Sequence, residues 1–347
     1  MEFIRNAWYV AGWSSEFSND LKSIKVLDEK IVIFRTSKGR VVALEDCCPH
    51  RFLPLSMGKL VEDNIECGYH GLTFSCEGNC IRIPGQKKIL KTLNVSTFPI
   101  FEKFEIVWIW MGEKSLAKNS EIFDMPQFTE SGWEVHQGEA LHLDSNYLNV
   151  AENLVDPAHV SFVHPTTLGS SYSEDVPVEF DTSGEVIVAW RWILNSPPIG
   201  FFKEFPGYKN NVDRWHYYYL YLPSIAVIDF GSIDSKEKIN ENERHLGTQI
   251  FAIHFLTPVS KNKTIDRWMH IRNVALGDDF VSEKIDSMFK IAFAEDKNIL
   301  EAIQNQIDIQ HNKNYIHIGI DKGAIIYRKR IKELIKAEAS DKKLINS

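Results

Sequence analysis

The sequence predicts an α+β fold in two parts: an all-β domain over residues 1–115, then a domain over residues 116–347 with an antiparallel sheet flanked by helices. Three observations carry this. Short β-rich runs broken by turn residues fill the first 110 positions. Long aromatic and β-branched runs follow them. Two stretches with helical spacing of apolar residues lie in the last third of the chain.

Taken in order, residues 30–36 read as a strand, Ser37-Lys38-Gly39 as a turn and residues 40–44 as the returning strand. Turns recur at Glu77-Gly78-Asn79 and Pro84-Gly85, and Ile106-Val107-Trp108-Ile109-Trp110 is a further strand. The polar stretch 112–123 marks the boundary. Beyond it, residues 185–192, 215–222, 248–257 and 263–274 read as antiparallel strands. Asp279 opens a helix reaching Ile309, with Phe280, Ile285, Phe289, Phe293, Ile299 and Ile303 among its apolar positions. A final helix is expected over residues 323–339, and no internal repeat occurs.

Composition bounds the function. The chain is 44% hydrophobic and 25% charged, an ordinary globular balance. A net charge of -8 disfavours wholesale binding to nucleic acid or an acidic membrane. No stretch approaches the run of roughly 20 apolar residues that a membrane helix needs. The N-terminal residues lack the basic-then-apolar layout of a signal peptide, so a cytoplasmic protein is expected. All five cysteines fall between Cys47 and Cys80, a clustering that points to metal or redox chemistry rather than a disulfide framework.

Cys48-Pro49-His50 is followed after sixteen residues by Cys67-Gly68-Tyr69-His70, a C-x-H-x16-C-x2-H pattern. Two thiolates and two imidazoles suit tetrahedral zinc, or a [2Fe–2S] cluster with both cysteines on one iron and both histidines on the other. The cluster is favoured because each loop supplies one Cys and one His, whereas zinc fingers pair like with like. Gly, Pro and small residues in the loops also let backbone amides approach cluster sulfurs. Cys47 does not fit the spacing, and Cys76 and Cys80 read as reduced structural residues.

A second constellation, Asn153-x-x-Asp156-x-x-His159-x4-His164, follows about 90 residues later. Two histidines with a distant carboxylate make the facial triad of non-haem Fe(II) oxygenases, which leaves three coordination positions open. On an ideal helix a five-residue step leaves two side chains about 140° apart. The helix is therefore expected to end or distort between His159 and His164. Asp156, three residues before His159, would share its helix face. For the substrate, the aromatic runs 215–221 and 251–255 could line an apolar cavity. His254 is the candidate hydrogen-bonding residue there, Asp229 and Trp268 are further candidates, and no arginine stands out as placed to grip a carboxylate.

These residues carry a family resemblance. Asp46-Cys47-Cys48-Pro49-His50-Arg51, Pro54-Leu55-Ser56-x-Gly58 and Cys67-x-Tyr69-His70-Gly71-Leu72-x-Phe74 resemble the Rieske domain of bacterial oxygenase components. Asn6-Ala7-Trp8-Tyr9-Val10-Ala11, Arg82-Ile83-Pro84-Gly85-Gln86, Asp213-Arg214-Trp215 and residues 295–304 resemble the vanillate O-demethylase and dicamba monooxygenase group. The resemblance covers nearly the whole chain, with only scattered matches over about 165–245. It implies a Rieske [2Fe–2S] cluster on Cys48, His50, Cys67 and His70, and mononuclear Fe(II) on His159, His164 and Asp296, with Glu295 the neighbouring alternative. It further implies that Asp156 bridges His159 to His70 of a neighbouring subunit in a homotrimer, and that Asn153 supports the iron site.

The implied activity is insertion of one oxygen atom into a small substrate, often at a methyl group, with formaldehyde released after O- or N-demethylation. Electrons would come from NAD(P)H through a separate reductase, with or without a ferredoxin; no flavin or nicotinamide motif is evident in the chain. A ring-hydroxylating dioxygenase and a Rieske electron carrier without oxygenase activity are the alternatives, and motif spacing does not separate one-atom from two-atom insertion.

Overall fold

The computed structural model describes residues 3–310 and 315–345. The chain divides into two compact units, residues 1–123 with 257–261, and residues 124–256 with 262–347.

The first unit is built from β1 (Trp8–Trp13), β2 (Lys22–Val26), β3 (Glu29–Arg35), β4 (Val41–Glu45), β5 (Lys59–Val61), β6 (Asn64–Glu66), β7 (Thr73–Phe74), β8 (Cys80–Arg82), β9 (Ile100–Lys103) and β10 (Ile106–Trp110). They form three antiparallel sheets, ordered β1-β10-β9, β2-β3-β4 and β5-β6-β7-β8. β3 sits between two neighbours and buries Ile31, Val32, Ile33 and Phe34 completely, which is why it reads as a continuous apolar run. Its turn into β4 is the expected one: Gly39, at φ +84°, donates its N–H to the Thr36 carbonyl at 2.9 Å.

Asp46, buried just after β4, ties this unit together. Its carboxylate accepts from Ser23 Oγ, Ser56 Oγ and the Ser56 amide, each at 2.7 Å. One side chain thus fixes the segment leading into Cys48 against β2 and against the turn after Pro54.

The second unit contains β11 (Glu134–Gln137), β12 (Leu141–Leu143), α1 (Tyr147–Asn153), α2 (Val160–Val163), β13 (Glu179–Asp181), β14 (Ile187–Ser196), α3 (Gly200–Glu204), β15 (Val212–Tyr221), β16 (Ile225–Asp234), β17 (Thr248–Ser260), β18 (Lys263–Arg272), α4 (Asp279–Ile309) and α5 (Lys322–Ile345). Its eight-stranded sheet runs β11-β18-β17-β16-β15-β14-β13, with β12 also paired to β18. The antiparallel sheet with helices is the expected α+β architecture. β16 was not among the expected strands; it is a central strand buried on both faces, interrupted by Asp229 and Gly231. Gly231 is required there, because the Trp215 indole and the Thr248 carbonyl fill the space a Cβ would take.

Helix α4 spans the residues the sequence indicates, and Asp278 caps it by accepting from the Val281 amide. Its buried stripe runs through Val281, Ile285, Phe289, Ala292, Phe293, Asp296, Leu300 and Gln304 in steps of three and four. Phe280, Ile299 and Ile303, expected on the apolar face, are exposed instead. They flank the stripe, and burial of the stripe takes priority over matching every apolar position. Phe289 and Phe293 each contribute roughly 1.5–3 kcal/mol by burial.

Replacing Asp46 by Ala strands three donors in a part-buried site. The variant is expected to lose about 2–3 kcal/mol of stability, read as a lower urea midpoint and a lower yield of protein with bound iron and sulfide.

Candidate metal centres

The two Cys/His loops of the first unit are the same hairpin used twice. Cys48 N–H donates to the Leu53 carbonyl at 2.9 Å, and Phe52 N–H returns to the Cys48 carbonyl at 2.8 Å. Cys67 N–H donates to the Leu72 carbonyl at 2.8 Å, and Gly71 N–H returns to the Cys67 carbonyl at 3.1 Å. The fifth residue of each loop has a positive φ, +59° at Phe52 and +70° at Gly71. This geometry buries both cysteines and leaves both histidines exposed at the loop tips, with ring centroids 4.7 Å apart. Burial, with Cys67 alongside, pushes the Cys48 thiol up to about 11. Two buried thiols side by side become thiolates once a cationic centre is present. Sulfur donors inside and imidazole donors outside fit the two ends of a [2Fe–2S] cluster. All five cysteines are free of disulfides.

In the second unit, His159 and His164 bracket the single turn of α2 as its N- and C-caps. The expected interruption is realised as a one-turn helix separate from α1. Asp156 lies between the two helices, not on a helix face with His159; Pro157 follows it, and its Oδ1 accepts from the Ala158 amide at 2.8 Å. Gly169 lets the following loop close on α2: its N–H donates to the His164 carbonyl at 2.8 Å, and a Cβ would strike the Val160 and His164 carbonyls.

Asp296 completes the set from α4. Its Oδ1 lies 3.3 Å from His164 Nε2 and 3.6 Å from His159 Nε2. One donor atom from each of the three residues lies within 4.8 Å of the others. A first-row metal with ligands at about 2.0–2.2 Å needs adjacent donors about 3 Å apart, so the trio fits a metal ion. Asn153 Nδ2 holds the same Asp296 oxygen at 3.1 Å. The other ring nitrogens face acids: His164 Nδ1 is 2.8 Å from Glu295 Oε2, and His159 Nδ1 is 3.9 Å from Asp156 Oδ2. Glu295 thus orients a histidine from the side opposite Asp296.

Burial drives the His159 imidazole below its usual pKa, against the pull of Asp296 and Asp156. Burial acts the same way on His164, but Asp296 and Glu295 outweigh it and raise its value. Burial pushes the Asp296 carboxyl up, yet His164 and His159 together hold it below the ordinary range.

These three residues line a cavity together with Asn153, Leu154 and Val160. Its apolar wall includes Ile199, Ile228, Phe230, Phe289 and Phe293. His254 lines it as well, with Nδ1 2.7 Å from Asp266 Oδ2, a pairing that fixes the ring. Asp229 does not line it. Along β16, Ile228 and Phe230 face the cavity, so Asp229 points to the other side of the sheet. There it accepts from Trp215 Nε1 at 2.9 Å, Gln249 Nε2 at 2.9 Å and Arg244 Nε at 3.1 Å. Trp268 packs edge-on against Phe289 and Phe293 from behind. His216 and Tyr218, not singled out from sequence, line the cavity. Strand alternation within the run 215–221 was the available signal for them.

Residues 7–99 match the Rieske [2Fe-2S] domain, and residues 143–337 match the vanillate O-demethylase oxygenase C-terminal domain. The chain belongs to the vanillate O-demethylase family of Rieske oxygenase components. It is 33% identical to the toluene-4-sulfonate monooxygenase system iron-sulfur subunit of Comamonas testosteroni, over 97% of this chain and 98% of that one. It is 29% identical to the dicamba O-demethylase oxygenase component of Stenotrophomonas maltophilia, over 98% of this chain and 100% of that one. The crystal structure of dicamba monooxygenase bound to dicamba superposes with a TM-score of 0.87 at 28% identity, covering 97% and 99% of the two chains.

This Rieske oxygenase component is accordingly an oxidoreductase with a [2Fe–2S] cluster and a mononuclear non-haem iron, acting on a small molecule with a separate reductase. Among the described residues, no helix is long and apolar enough to cross a membrane.

Asp229 has a structural role on the far side of the sheet. Asp229→Ala leaves a largely buried guanidinium unpaired and is expected to cost about 3 kcal/mol of stability, read by denaturant unfolding, with the KM of the remaining folded enzyme within about twofold of wild type.

Proposed function

We propose that this Rieske oxygenase component inserts one oxygen atom from O2 into a C–H bond of a small aromatic substrate, releasing formaldehyde where that carbon is an O- or N-methyl group. The observation that carries this is a largely apolar cavity ending on His159, His164 and Asp296. The relatives named for vanillate and dicamba O-demethylation and for toluene-4-sulfonate monooxygenation support the same chemistry.

Cys48, His50, Cys67 and His70 would hold the cluster within residues 1–115, and His159, His164 and Asp296 the Fe(II) within residues 116–347. Bound there, the two centres supply electrons and the activation of O2. Asn153 keeps the shared Asp296 oxygen aimed between the two imidazoles. Glu295 accepts the Nδ1 proton of His164 and leaves Nε2 free to ligate. Phe289 and Phe293 exclude water from one wall, and His254, braced by Asp266, offers the substrate a hydrogen bond.

Asp156 would accept from His159 and from His70 of a neighbouring subunit in a homotrimer. What supports the ring is the surface beside Asp156, where Ile299, Ile303, Tyr315 and Ile316 are exposed around a groove that Asp156 and His159 also line. Electrons would reach the cluster from NAD(P)H through a reductase in the cytoplasm, directly or through a ferredoxin.

Metal and acid-labile sulfide analysis tests the assignment. Wild type is expected to hold about three irons and two sulfides per chain. Asp296→Ala should keep the Rieske EPR signal, lose the third iron and release no formaldehyde from methoxyarenes. Retention of all three irons in Asp296→Ala would remove Asp296 from the ligand set. Glu295→Gln is expected to bind the mononuclear iron roughly 10- to 100-fold more weakly, measured by competition with a chelator.

A further inference from the structure

Three adjacent strands of the second unit gather a polar group on one sheet face. Arg191 on β14 stands opposite His216 on β15, and Arg214 on β15 stands opposite Ser232 on β16. Directly opposed residues share a face, and 214 and 216 lie two apart on one strand, so all four side chains emerge on the same side. They are 2%, 4%, 1% and 0% exposed in that order. The segment that follows His164 holds the two guanidiniums from above. Arg191 Nη1 donates to the Ser173 carbonyl at 2.8 Å, and Arg214 Nη2 donates to Ser170 Oγ at 2.8 Å. Arg214 Nε reaches Ser196 Oγ at 3.4 Å. Neither guanidinium lines the cavity beside the metal trio.

Unmatched donors remain in all four residues. Nε and Nη2 of Arg191, Nη1 of Arg214, Nδ1 of His216 and Oγ of Ser232 are buried with no hydrogen-bond partner. Among the described residues no carboxylate is hydrogen-bonded to Arg191 or Arg214, whereas Arg244 and Arg272 pair with Asp229 and Glu134. Burial and the charge of Arg191 lower the Arg214 pKa to about 10, which leaves it charged at neutral pH. Burial, with the two arginines adding to it, keeps His216 neutral, so its ring has one proton to place on either nitrogen. Water can satisfy such donors but brings no charge, and two neighbouring buried cations call for a negative partner. All five atoms can donate and no carboxylate competes for them, a set that suits a compact anion.

We propose that Arg191, Arg214, His216 and Ser232 form a buried site for one small inorganic anion, chloride, which pins the segment 170–173 to the sheet. The anion is a structural ligand beside the cavity wall and takes no part in the reaction. Its effect reaches the metal trio through two hydrogen bonds. The Gly169 N–H, next to Ser170, donates to the His164 carbonyl at 2.8 Å. Ser173 Oγ shares a 2.7 Å hydrogen bond with Ser161 Oγ on α2.

Urea unfolding of the iron-loaded enzyme in chloride–gluconate mixtures of constant ionic strength tests the proposal. Stability is expected to rise saturably with chloride: at about ten times its dissociation constant the unfolding constant falls about tenfold. Amides 169–174 should exchange with deuterium more slowly under the same conditions. Bromide should take the same place, giving an anomalous-scattering peak between the two guanidiniums in crystals grown from it. Arg214→Gln is expected to flatten the chloride dependence, and Arg214→Lys to restore part of it. Equal stability of wild type in chloride and gluconate overturns the proposal without requiring any variant to fold. So does bromide found at surface positions alone, or a rise in stability that never saturates, which is the general effect of salt and not binding. Full chloride dependence in a folded Arg214→Gln would put the anion elsewhere and overturn it as well.

Discussion

The catalytic unit depends on the register between α1 and α4. Gln304 Oε1 accepts from the Asn146 amide at 2.9 Å and from Asn149 Nδ2 at 3.1 Å, while Glu301 accepts from the Asp144 amide. One turn further along α1, Asn153 meets Asp296, two turns back along α4. These bonds set where the Asp296 carboxylate stands relative to His159 and His164. The aromatic half of α4 is fixed separately, by Phe289 and Phe293 against Trp268. A slip of one residue on α4 would turn the carboxylate by about 100° and leave two imidazoles without their third partner. Arg328 on α5 reinforces α1 by holding both Glu152 and Asn149.

Much of this was legible in the sequence, and the rest was hidden for identifiable reasons. The two Cys/His loops announce themselves because donor identity and spacing are local properties, and α4 because its periodicity is sustained over 31 residues. His159 and His164 were readable as a pair with a break between them, but the shape of the break was not. It takes Pro157 and the Asp156 turn to separate α1 from α2. Glu295 and Asp296 differ only by rotation about α4, so the choice between them belonged to family resemblance; tertiary packing puts Asp296 beside both Nε2 atoms and Glu295 beside His164 Nδ1. Asp229 misled because a lone acid in a β-rich stretch looks functional; the face it occupies follows from register alone.

The sheet therefore separates two kinds of polar chemistry. On the cavity side, imidazoles and a carboxylate lie at an apolar wall. On the other side, Asp229 gathers Trp215, Gln249 and Arg244, and the Arg244 guanidinium lies 3.8 Å above the Tyr217 ring. The far-side set is satisfied within the chain and stiffens β15 and β16, whereas the near-side set turns two ring nitrogens toward one carboxylate oxygen. That asymmetry distinguishes the scaffold from the site more clearly than burial does, because both sets are buried.

The one-turn helix α2 has a thermodynamic consequence. A single turn forms too few backbone bonds to offset the entropy of its nucleation. With the iron held as proposed above, its two ends would be clasped by side chains that share an ion, so metal occupancy and local winding would become one equilibrium. In the metal-free protein the amides around residues 160–164 would exchange with solvent deuterium sooner than those of the sheet beneath. Occupancy of the iron site would be legible as a protection factor at a few residues.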